Sequence, residues 1–224
     1  METVIVTYRR DLELAVRAVK SIDKHKIGSK PNTIHVVIND GPEIFEQAQA
    51  LFKPLARVYH YTDISTWVHA RSGWWSQQWL KLQAYQLIEG EWYMPFDSDM
   101  WIDRCVKEHE LFIGNRALCN LRNRDMYTGN ELFEKYLTNA CEYWKVNLND
   151  LSEILRETPP NILHCKTIKN MLEELKPWIF GSVEKPSIEF FIYWVYLHKN
   201  NLTHMYRHQD QWFWFGDTFF MDNH

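Results

Sequence analysis

The stretch "WYMPFDSDMWID", residues 92–103, places an aromatic and apolar run directly before two carboxylates, Asp97 and Asp99. The run has the length and composition of a buried β-strand. The two acids therefore stand at the carboxyl end of a strand. Two carboxylates this close repel each other unless a cation neutralises them. An isolated Asp-x-Asp is common in solvated turns, so the meaning of this pair depends on the rest of the chain.

Upstream of this stretch, strand-like runs alternate with helical patterns. Strands are predicted at 3–8, 33–38, 57–61 and 91–96, and helices at 12–22, 43–52 and 72–88, the last capped by Ser72. Strands joined by helices of this length form a mostly parallel sheet with helices on both faces. The predicted class is therefore α/β, with a Rossmann-like sheet.

The second half of the chain is less regular. Helical patterns at 131–144, 148–155 and 187–200 predict three helices, the last one buried and capped by Ser187, and the tail 202–220 predicts strand and loop. No repeat or linker separates the two halves. One domain with a mainly helical C-terminal region is expected.

Composition narrows the class of function. The 224 residues carry a net charge of −4 with no basic stripe, so duplex nucleic acid is not expected as the main partner. The four cysteines form no CxxC pair, which predicts free thiols in a reducing compartment. No export signal is visible and no window approaches 18 apolar residues, so a cytoplasmic protein without a membrane span is expected.

Polar residues follow three of the predicted strands. The first strand ends in Thr7-Tyr8-Arg9, the second in Asn39-Asp40-Gly41 and the fourth in Asp97-Ser98-Asp99. Ligands of open parallel sheets bind beyond the carboxyl ends of the strands, where the strand order reverses. A strand order of 3-2-1-4 would bring Tyr8 close to the Asp97 pair. Carboxylate oxygens at such an edge favour Mn²⁺ or Mg²⁺, which keep positions open for phosphates.

These strand ends carry a resemblance to a known fold family. The segments "VTYRRD", "VVINDGP" and "FDSDMW" resemble the nucleotide-sugar-binding half of GT-A fold glycosyltransferases over residues 3–103. The segment "SGWWSQQWLKLQAYQLI", 72–88, is similar to one found in small bacterial and phage glycosyltransferase-like proteins. The resemblance divides the single domain into a nucleotide-sugar-binding half, 1–103, and an acceptor-binding and catalytic half, 104–224.

The resemblance implies a metal-dependent hexosyltransferase. Its donor would be a UDP-sugar such as UDP-glucose, its acceptor a carbohydrate or another hydroxyl compound, and its location the cytoplasm of a bacterium or a phage-infected host. Asp40 would accept from N3 of uracil, Asp99 would ligate Mn²⁺ or Mg²⁺, and Asp97 would reach the metal or the ribose. The implied nucleotide contacts are Thr7, Tyr8, Arg9, Asp40, Arg71, Gln78, Lys81 and Asp97.

The resemblance also implies a catalytic acid and a third metal ligand in the second half. Glu189 lies among apolar residues, where a carboxylate is costly unless it is paired or used. In inverting GT-A enzymes such an acid is the general base, although a helix-start glutamate held by the helix dipole explains it equally well. His208 is the expected third metal ligand, with His204 and His164 as alternatives.

Two other functions stay open at this stage. A nucleotidyltransferase uses a related sheet, but its first strand usually leads into a glycine-rich basic loop, and here Tyr8-Arg9-Arg10-Asp11 follows. A non-catalytic carbohydrate-binding protein would instead use flat aromatic faces. The candidates for such stacking are Trp74, Trp75, Trp101, Trp212 and Trp214.

Overall fold

The computed structural model describes residues 1–28, 32–67, 73–180, 182, 184–208 and 219–221. Its strands are β1 (Glu2–Thr7), β2 (Ile34–Ile38), β3 (Arg57–His60), β4 (Trp92–Phe96), β5 (Met100–Ile102), β6 (Phe112–Ile113), β7 (Arg116–Cys119), β8 (Leu121–Asn123), β9 (Glu153–Leu155), β10 (Leu163–His164), β11 (Tyr206–His208) and β12 (Phe219–Met221). Its α-helices are α1 (Leu12–His25), α2 (Pro42–Phe52), α3 (Gly73–Gln83), α4 (Glu131–Trp144), α5 (Cys165–Glu174) and α6 (Glu189–Lys199).

A five-stranded sheet in the order β10-β4-β1-β2-β3 forms the centre of the protein. The first four strands are parallel, and β10 joins the edge antiparallel to β4. The first four strands take the order 3-2-1-4, the order that would bring Tyr8 close to the Asp97 pair, and the predicted α/β class is confirmed. Because β1 and β4 are neighbours, Thr7 and Asp97 leave the sheet at the same edge.

The apolar patterns of the first hundred residues explain this arrangement. β2 is buried along its whole length, as expected for a strand covered on both faces. The helical spacing predicted for α1 holds, since Leu12, Ala15, Val19 and Ile22 are all buried. The helix predicted at 72–88 is shorter than expected, because α3 ends at Gln83 and a 3-10 turn continues to Leu87.

The second half departs more from the sequence predictions. The helix predicted at 148–155 is wrong: a 3-10 turn at Leu148–Asp150 leads into β9, which pairs with β8. The leucines and isoleucine of this segment fit helical spacing, but strand pairing buries Ile154 and Leu155 instead. Short strands therefore accompany α4, α5 and α6, and the region is less helical than expected.

The start of α6 also differs from the prediction. Ser187 does not cap the helix, because its hydroxyl donates a hydrogen bond to the Tyr136 carbonyl at 2.8 Å and Ile188 is the capping residue. Glu189 is consequently the first residue of α6.

The state of the cysteines agrees with the prediction of free thiols. All four cysteines are free thiols, and two of them, Cys119 and Cys141, are buried. In the part of the chain that the structure describes, no helix is long and apolar enough to cross a bilayer.

A buried histidine at the amino edge of the sheet makes folding pH-dependent. The His35 imidazole is 0% exposed and lies 2.8 Å from Glu2 Oε2. Burial lowers the pKa of His35, which Glu2 opposes only in part. The unfolded chain therefore binds a proton more readily than the folded one, and the stability contributed by neutral His35 is present above about pH 6.5 and lost as pH falls.

The variant His35→Gln removes this titration. We expect the difference in unfolding free energy between the wild type and His35→Gln to be constant at neutral pH and to shrink between about pH 6.5 and 5. Urea unfolding of both proteins at several pH values measures it. A difference that stays constant, or that grows as pH falls, would contradict the assignment of a lowered pKa to His35.

Candidate functional site

A buried lysine links the two halves of the protein at the carboxyl edge of the sheet. Lys81, on α3, is 3% exposed, and its Nζ lies 2.6 Å from Asp97 Oδ1 and 3.0 Å from Glu189 Oε1. The Tyr93 hydroxyl, from β4, donates to the Lys81 carbonyl at 2.9 Å and ties this part of α3 to the strand. We refer to Lys81, Asp97 and Glu189 as the lysine cluster.

Gln78 completes the surroundings of Glu189. It lies one helical turn before Lys81, is 3% exposed, and its carboxamide contacts the Glu189 carboxylate with the NH₂ group as the end that can donate. The resemblance implied that Gln78 and Lys81 are nucleotide contacts, and the structure brings both to Glu189. Glu189 is itself 1% exposed, whereas about a third of the Asp97 side chain is open to solvent.

The electrostatics of the lysine cluster follow from this enclosure. Burial alone would lower the pKa of Lys81, but Asp97 and Glu189 outweigh it, and the pKa is raised. The lysine is thus a permanent cation. Burial raises the pKa of Glu189, and the nearby Asp97 charge adds to this while Lys81 opposes it. One ammonium group shared by two carboxylates leaves an acidic site whose open side is Asp97.

Asp40, which follows β2, forms a hydrogen bond to the backbone that follows β1. Its carboxylate accepts from the backbone N–H of Arg9 at 2.9 Å and from that of Gly41 at 2.7 Å. The Arg9 guanidinium, which is mostly exposed, contacts Glu43 and lies 3.8 Å from Asp40. A carboxylate has about four acceptor positions, so Asp40 keeps capacity for a further donor.

The two residues that end β1 differ in access. Thr7 is 0% exposed and its hydroxyl has no hydrogen-bond partner, so its side chain faces the interior. Tyr8 follows in an extended conformation and is half-buried. Burial, together with the Asp11 carboxylate, raises the pKa of Tyr8, which is a neutral phenol at physiological pH. Of the two side chains, Tyr8 is the one placed to meet a ligand.

The carboxylates after β4 are the predicted metal ligands. Asp97 and Asp99 flank a turn in which the Met100 N–H donates to the Asp97 carbonyl at 3.2 Å. One or two carboxylates plus substrate phosphates are the usual ligands of Mg²⁺, and the pair fits that pattern. Within the described ranges, however, no three His, Cys, Asp or Glu side chains group as a metal site. His208 is therefore not brought to the pair, and its Nδ1 accepts from the Leu121 N–H at 3.3 Å.

The alternative histidines lie elsewhere. His204 donates from Nδ1 to the Asn201 carbonyl in an exposed turn. His164 pairs with Trp92 at the amino end of β4, the opposite edge from Asp97. The identity of the third metal ligand therefore stays a prediction.

Several predicted residues lie outside the described part of the chain. Arg71, Trp212 and Trp214 belong to this group. Trp74 is 46% exposed at the start of α3, beside Gly73, whose carbonyl accepts from the Asn39 side chain at 3.0 Å. This bond holds an exposed aromatic ring near the end of β2.

Sequence reasoning missed the main feature of the site. Glu189 and Lys81 are 108 residues apart, and no local pattern pairs them. The one available signal was a glutamate in an apolar helix start, which requires a buried cation nearby. A cavity of about 630 Å³ was also not foreseen, and it lies at the opposite, amino edge, lined in part by Glu2, Glu89 and Trp92.

The mostly parallel sheet flanked by helices is the architecture expected of a GT-A-like domain. The likeness to mouse xyloside xylosyltransferase 1 supports that fold, with a TM-score of 0.51 at 9% identity over 94% of this chain and 86% of that one. The GT-A-like fold predicted from the sequence is thereby confirmed. The chain belongs to a family described as a family of unknown function, DUF6492, whose sequence profile matches residues 4–222.

Two further solved structures are similar at lower scores. The bifunctional glycosyltransferase WbbM has a TM-score of 0.47 at 15% identity, over 89% of this chain and 37% of that one. The galactosyltransferase LgtC, solved with donor and acceptor sugar analogues, has a TM-score of 0.49 at 12% identity, over 86% of this chain and 69% of that one. This chain thus spans little more than a third of WbbM. A search of curated proteins finds no match.

Proposed function

We propose that this protein is a glycosyltransferase that binds a nucleotide-sugar donor at the carboxyl edge of its sheet. One observation carries the proposal: buried Lys81 joins Asp97 at the end of β4 to Glu189, on the edge that also carries Tyr8 and Asp40. Buried charges are costly, and strongly perturbed pKa values cluster at functional sites. Glycosyltransferases with a GT-A-like fold are the precedent for donor binding at this edge of the sheet.

The nucleoside would lie over the ends of β1 and β2. Tyr8 presents a neutral phenol, and Asp40 presents a carboxylate fixed by two backbone N–H groups. Such a carboxylate suits the N3–H of uracil, which makes a UDP-sugar such as UDP-glucose the proposed donor. The exposed Arg9 guanidinium lies beside Asp40 and would pair with phosphate.

Asp97 and Asp99 would hold Mn²⁺ or Mg²⁺ together with the donor diphosphate. Such an ion neutralises the charge that develops on the leaving diphosphate. Lys81 holds Asp97 Oδ1 at 2.6 Å, and about a third of the Asp97 side chain stays exposed to a ligand. Preorganised charges of this kind stabilise a transition state without reorganising during the reaction.

Glu189 is better suited to positioning than to proton transfer. A general base must reach the acceptor hydroxyl directly or through one water. Glu189 is enclosed by Lys81 and Gln78, so its carboxylate holds the lysine that in turn holds Asp97. The alternative role as catalytic base requires that a bound substrate opens this enclosure.

The second half of the protein, residues 104–224, would bind the acceptor hydroxyl.

The end of the first strand argues against the alternative function of nucleotidyltransferase. A 3-10 turn at Arg9–Asp11 runs directly into α1, without the glycine-rich loop that such an enzyme usually carries there. A purely carbohydrate-binding role would explain the exposed Trp74 but not the lysine cluster. We place the activity in the cytoplasm, in line with the free cysteines.

A thermal-shift panel tests the proposed donor class. The protein is heated with UDP, GDP or CTP, each with and without Mn²⁺. We expect UDP with Mn²⁺ to raise the midpoint of unfolding most, because a ligand that binds only the folded state stabilises it by mass action, about 2.7 kcal/mol at 100 times its dissociation constant. A response to CTP alone would favour the nucleotidyltransferase, and no response to any nucleotide would contradict the proposal.

A further inference from the structure

Trp74 presents an exposed indole ring at the start of a helix that is otherwise buried. Residues 76–82 of α3 are buried, whereas Gly73 and Trp74 are exposed. The exposed fraction of Trp74 is 46%. A single exposed aromatic ring is common on protein surfaces, so its meaning depends on where it lies.

Helix α3 crosses the carboxyl edge of the sheet from β2 to β4. At its start, the Gly73 carbonyl accepts from the side chain of Asn39, which directly follows β2, at 3.0 Å. Near its other end, Lys81 Nζ lies 2.6 Å from Oδ1 of Asp97, which directly follows β4. Because β1 lies between these two strands, their ends are about 10 Å apart. This spacing agrees with a rise of about 12 Å along the helix from Gly73 to Lys81.

Trp74 lies on the face of α3 that points into the proposed site. Trp74, Gln78 and Lys81 are spaced i, i+4 and i+7, which places them in one row along the helix. The two buried members of this row contact Glu189, and Lys81 also contacts Asp97. The indole of Trp74 therefore continues the same row to the exposed end of the helix, about 10 Å from Lys81.

The neighbouring residue Trp75 holds the Trp74 ring in place. The two ring centroids are 4.4 Å apart and the ring planes are inclined at 68°. Trp75 is itself half-buried against the core, and it packs edge-on against Tyr136 of α4 with centroids 5.8 Å apart. A tryptophan side chain has only two χ angles, so this packing leaves the Trp74 ring little freedom. A ligand that stacks on the ring meets a surface that is already ordered.

Asp40 supplies a hydrogen-bond acceptor beside this aromatic surface. It is the next residue after Asn39, whose side chain holds the start of α3. Its carboxylate accepts from two backbone N–H groups and keeps capacity for a further donor. Proteins bind single nucleobases by stacking the base on an aromatic ring and by hydrogen bonds to its edge. Trp74 and Asp40 provide one of each at the end of β2.

We propose that Trp74 is the stacking surface for the uracil of the donor. This inference rests on the proposed function, because it uses the donor site at the carboxyl edge of the sheet. The uracil ring lies on the indole, its N3–H reaches Asp40, and the diphosphate extends along α3 toward Asp97. A sugar ring of the acceptor also prefers a flat aromatic face, so the test includes a sugar as a separate probe.

Two measurements on the full chain test the inference. Calorimetry measures the affinity for UDP in Mn²⁺, and saturation-transfer NMR without metal measures contact with uridine and with methyl glucoside. The variants are Trp74→Ala, which removes the ring, and Trp74→Phe, which keeps a smaller one. The matched control is Trp178→Ala, because Trp178 is 54% exposed and packs on Tyr143, two turns of α4 beyond Tyr136.

We expect the affinity for UDP to fall about tenfold or more in Trp74→Ala and by less in Trp74→Phe, as for the loss of base stacking on an aromatic ring. The wild type should transfer saturation to the uracil protons of uridine, and Trp74→Ala should not. Trp178→Ala should match the wild type in both measurements. Thermal unfolding without ligand should be nearly the same for all four proteins, because both tryptophans are exposed.

Three results would overturn the inference. If Trp74→Ala keeps the UDP affinity of the wild type, the ring does not stack on the base, and the proposed function stands. If Trp74→Ala loses contact with methyl glucoside but not with uridine, Trp74 binds an acceptor sugar, and the donor site stands with Tyr8 and Asp40. If UDP does not bind the wild type in Mn²⁺, the proposed donor site fails, and the role of Trp74 fails with it.

Discussion

The variant Lys81→Met should lose both donor turnover and a large part of its stability. Methionine matches the length of the lysine stem but leaves Glu189 and Asp97 without their shared cation. Removing one partner of a buried ion pair costs about 3–5 kcal/mol, because the remaining charge stays buried. Protonation of Glu189 removes its buried charge. We therefore expect the loss of unfolding free energy to be largest above neutral pH and to diminish as pH falls.

Urea unfolding and UDP-sugar hydrolysis measure the two effects separately. The double variant Lys81→Met with Glu189→Gln removes the buried charge as well as its partner, and we expect it to recover at least half of the lost stability but none of the activity. The control Lys20→Met changes an exposed helix lysine and should leave both properties unchanged. Full activity in a folded Lys81→Met protein would contradict the role of the lysine cluster.

The variant Asp99→Ala should abolish metal-dependent turnover while leaving the fold intact. Asp99 is half-buried in the turn after β4 and stands outside the lysine cluster. Charge stabilisation by a metal is worth several kcal/mol, and about 1.4 kcal/mol corresponds to tenfold in rate. Hydrolysis of a UDP-sugar in Mn²⁺ should therefore fall by about 100-fold or more.

Asp103→Ala is the matched control, because this exposed aspartate lies just beyond β5 and outside the proposed site. It should retain wild-type hydrolysis and the same response to Mn²⁺. The thermal unfolding of Asp99→Ala should stay close to that of the wild type, which separates lost chemistry from lost folding. Undiminished, Mn²⁺-dependent hydrolysis by Asp99→Ala would show that the metal binds elsewhere.

The first hundred residues could be predicted well because their fold depends on local patterns. Continuous apolar runs such as "TIHVVI" and the helical spacing of α1 are set by burial on both sheet faces. Right-handed crossovers then leave few possible strand orders. The edge that carries Tyr8, Asp40 and Asp97 followed from those rules.

The second half could not be predicted to the same degree because its structure depends on distant contacts. The segment at 148–155 has a helical pattern, yet pairing with β8 makes Glu153–Leu155 a strand. The Lys81–Glu189 pair joins residues 108 positions apart, and the Arg122–Glu157 ion pair joins β8 to the segment after β9. Periodicity describes one element at a time and carries no information on such pairs.

The most direct test of the central claim is a crystal structure with a UDP-sugar and Mn²⁺ soaked into the wild-type protein. The account predicts uracil beside Tyr8 and Asp40, the diphosphate and metal at Asp97 and Asp99, and an undisturbed contact between Lys81 and Asp97. Nucleotide bound at the amino edge, in the cavity lined by Glu2 and Trp92, would contradict it.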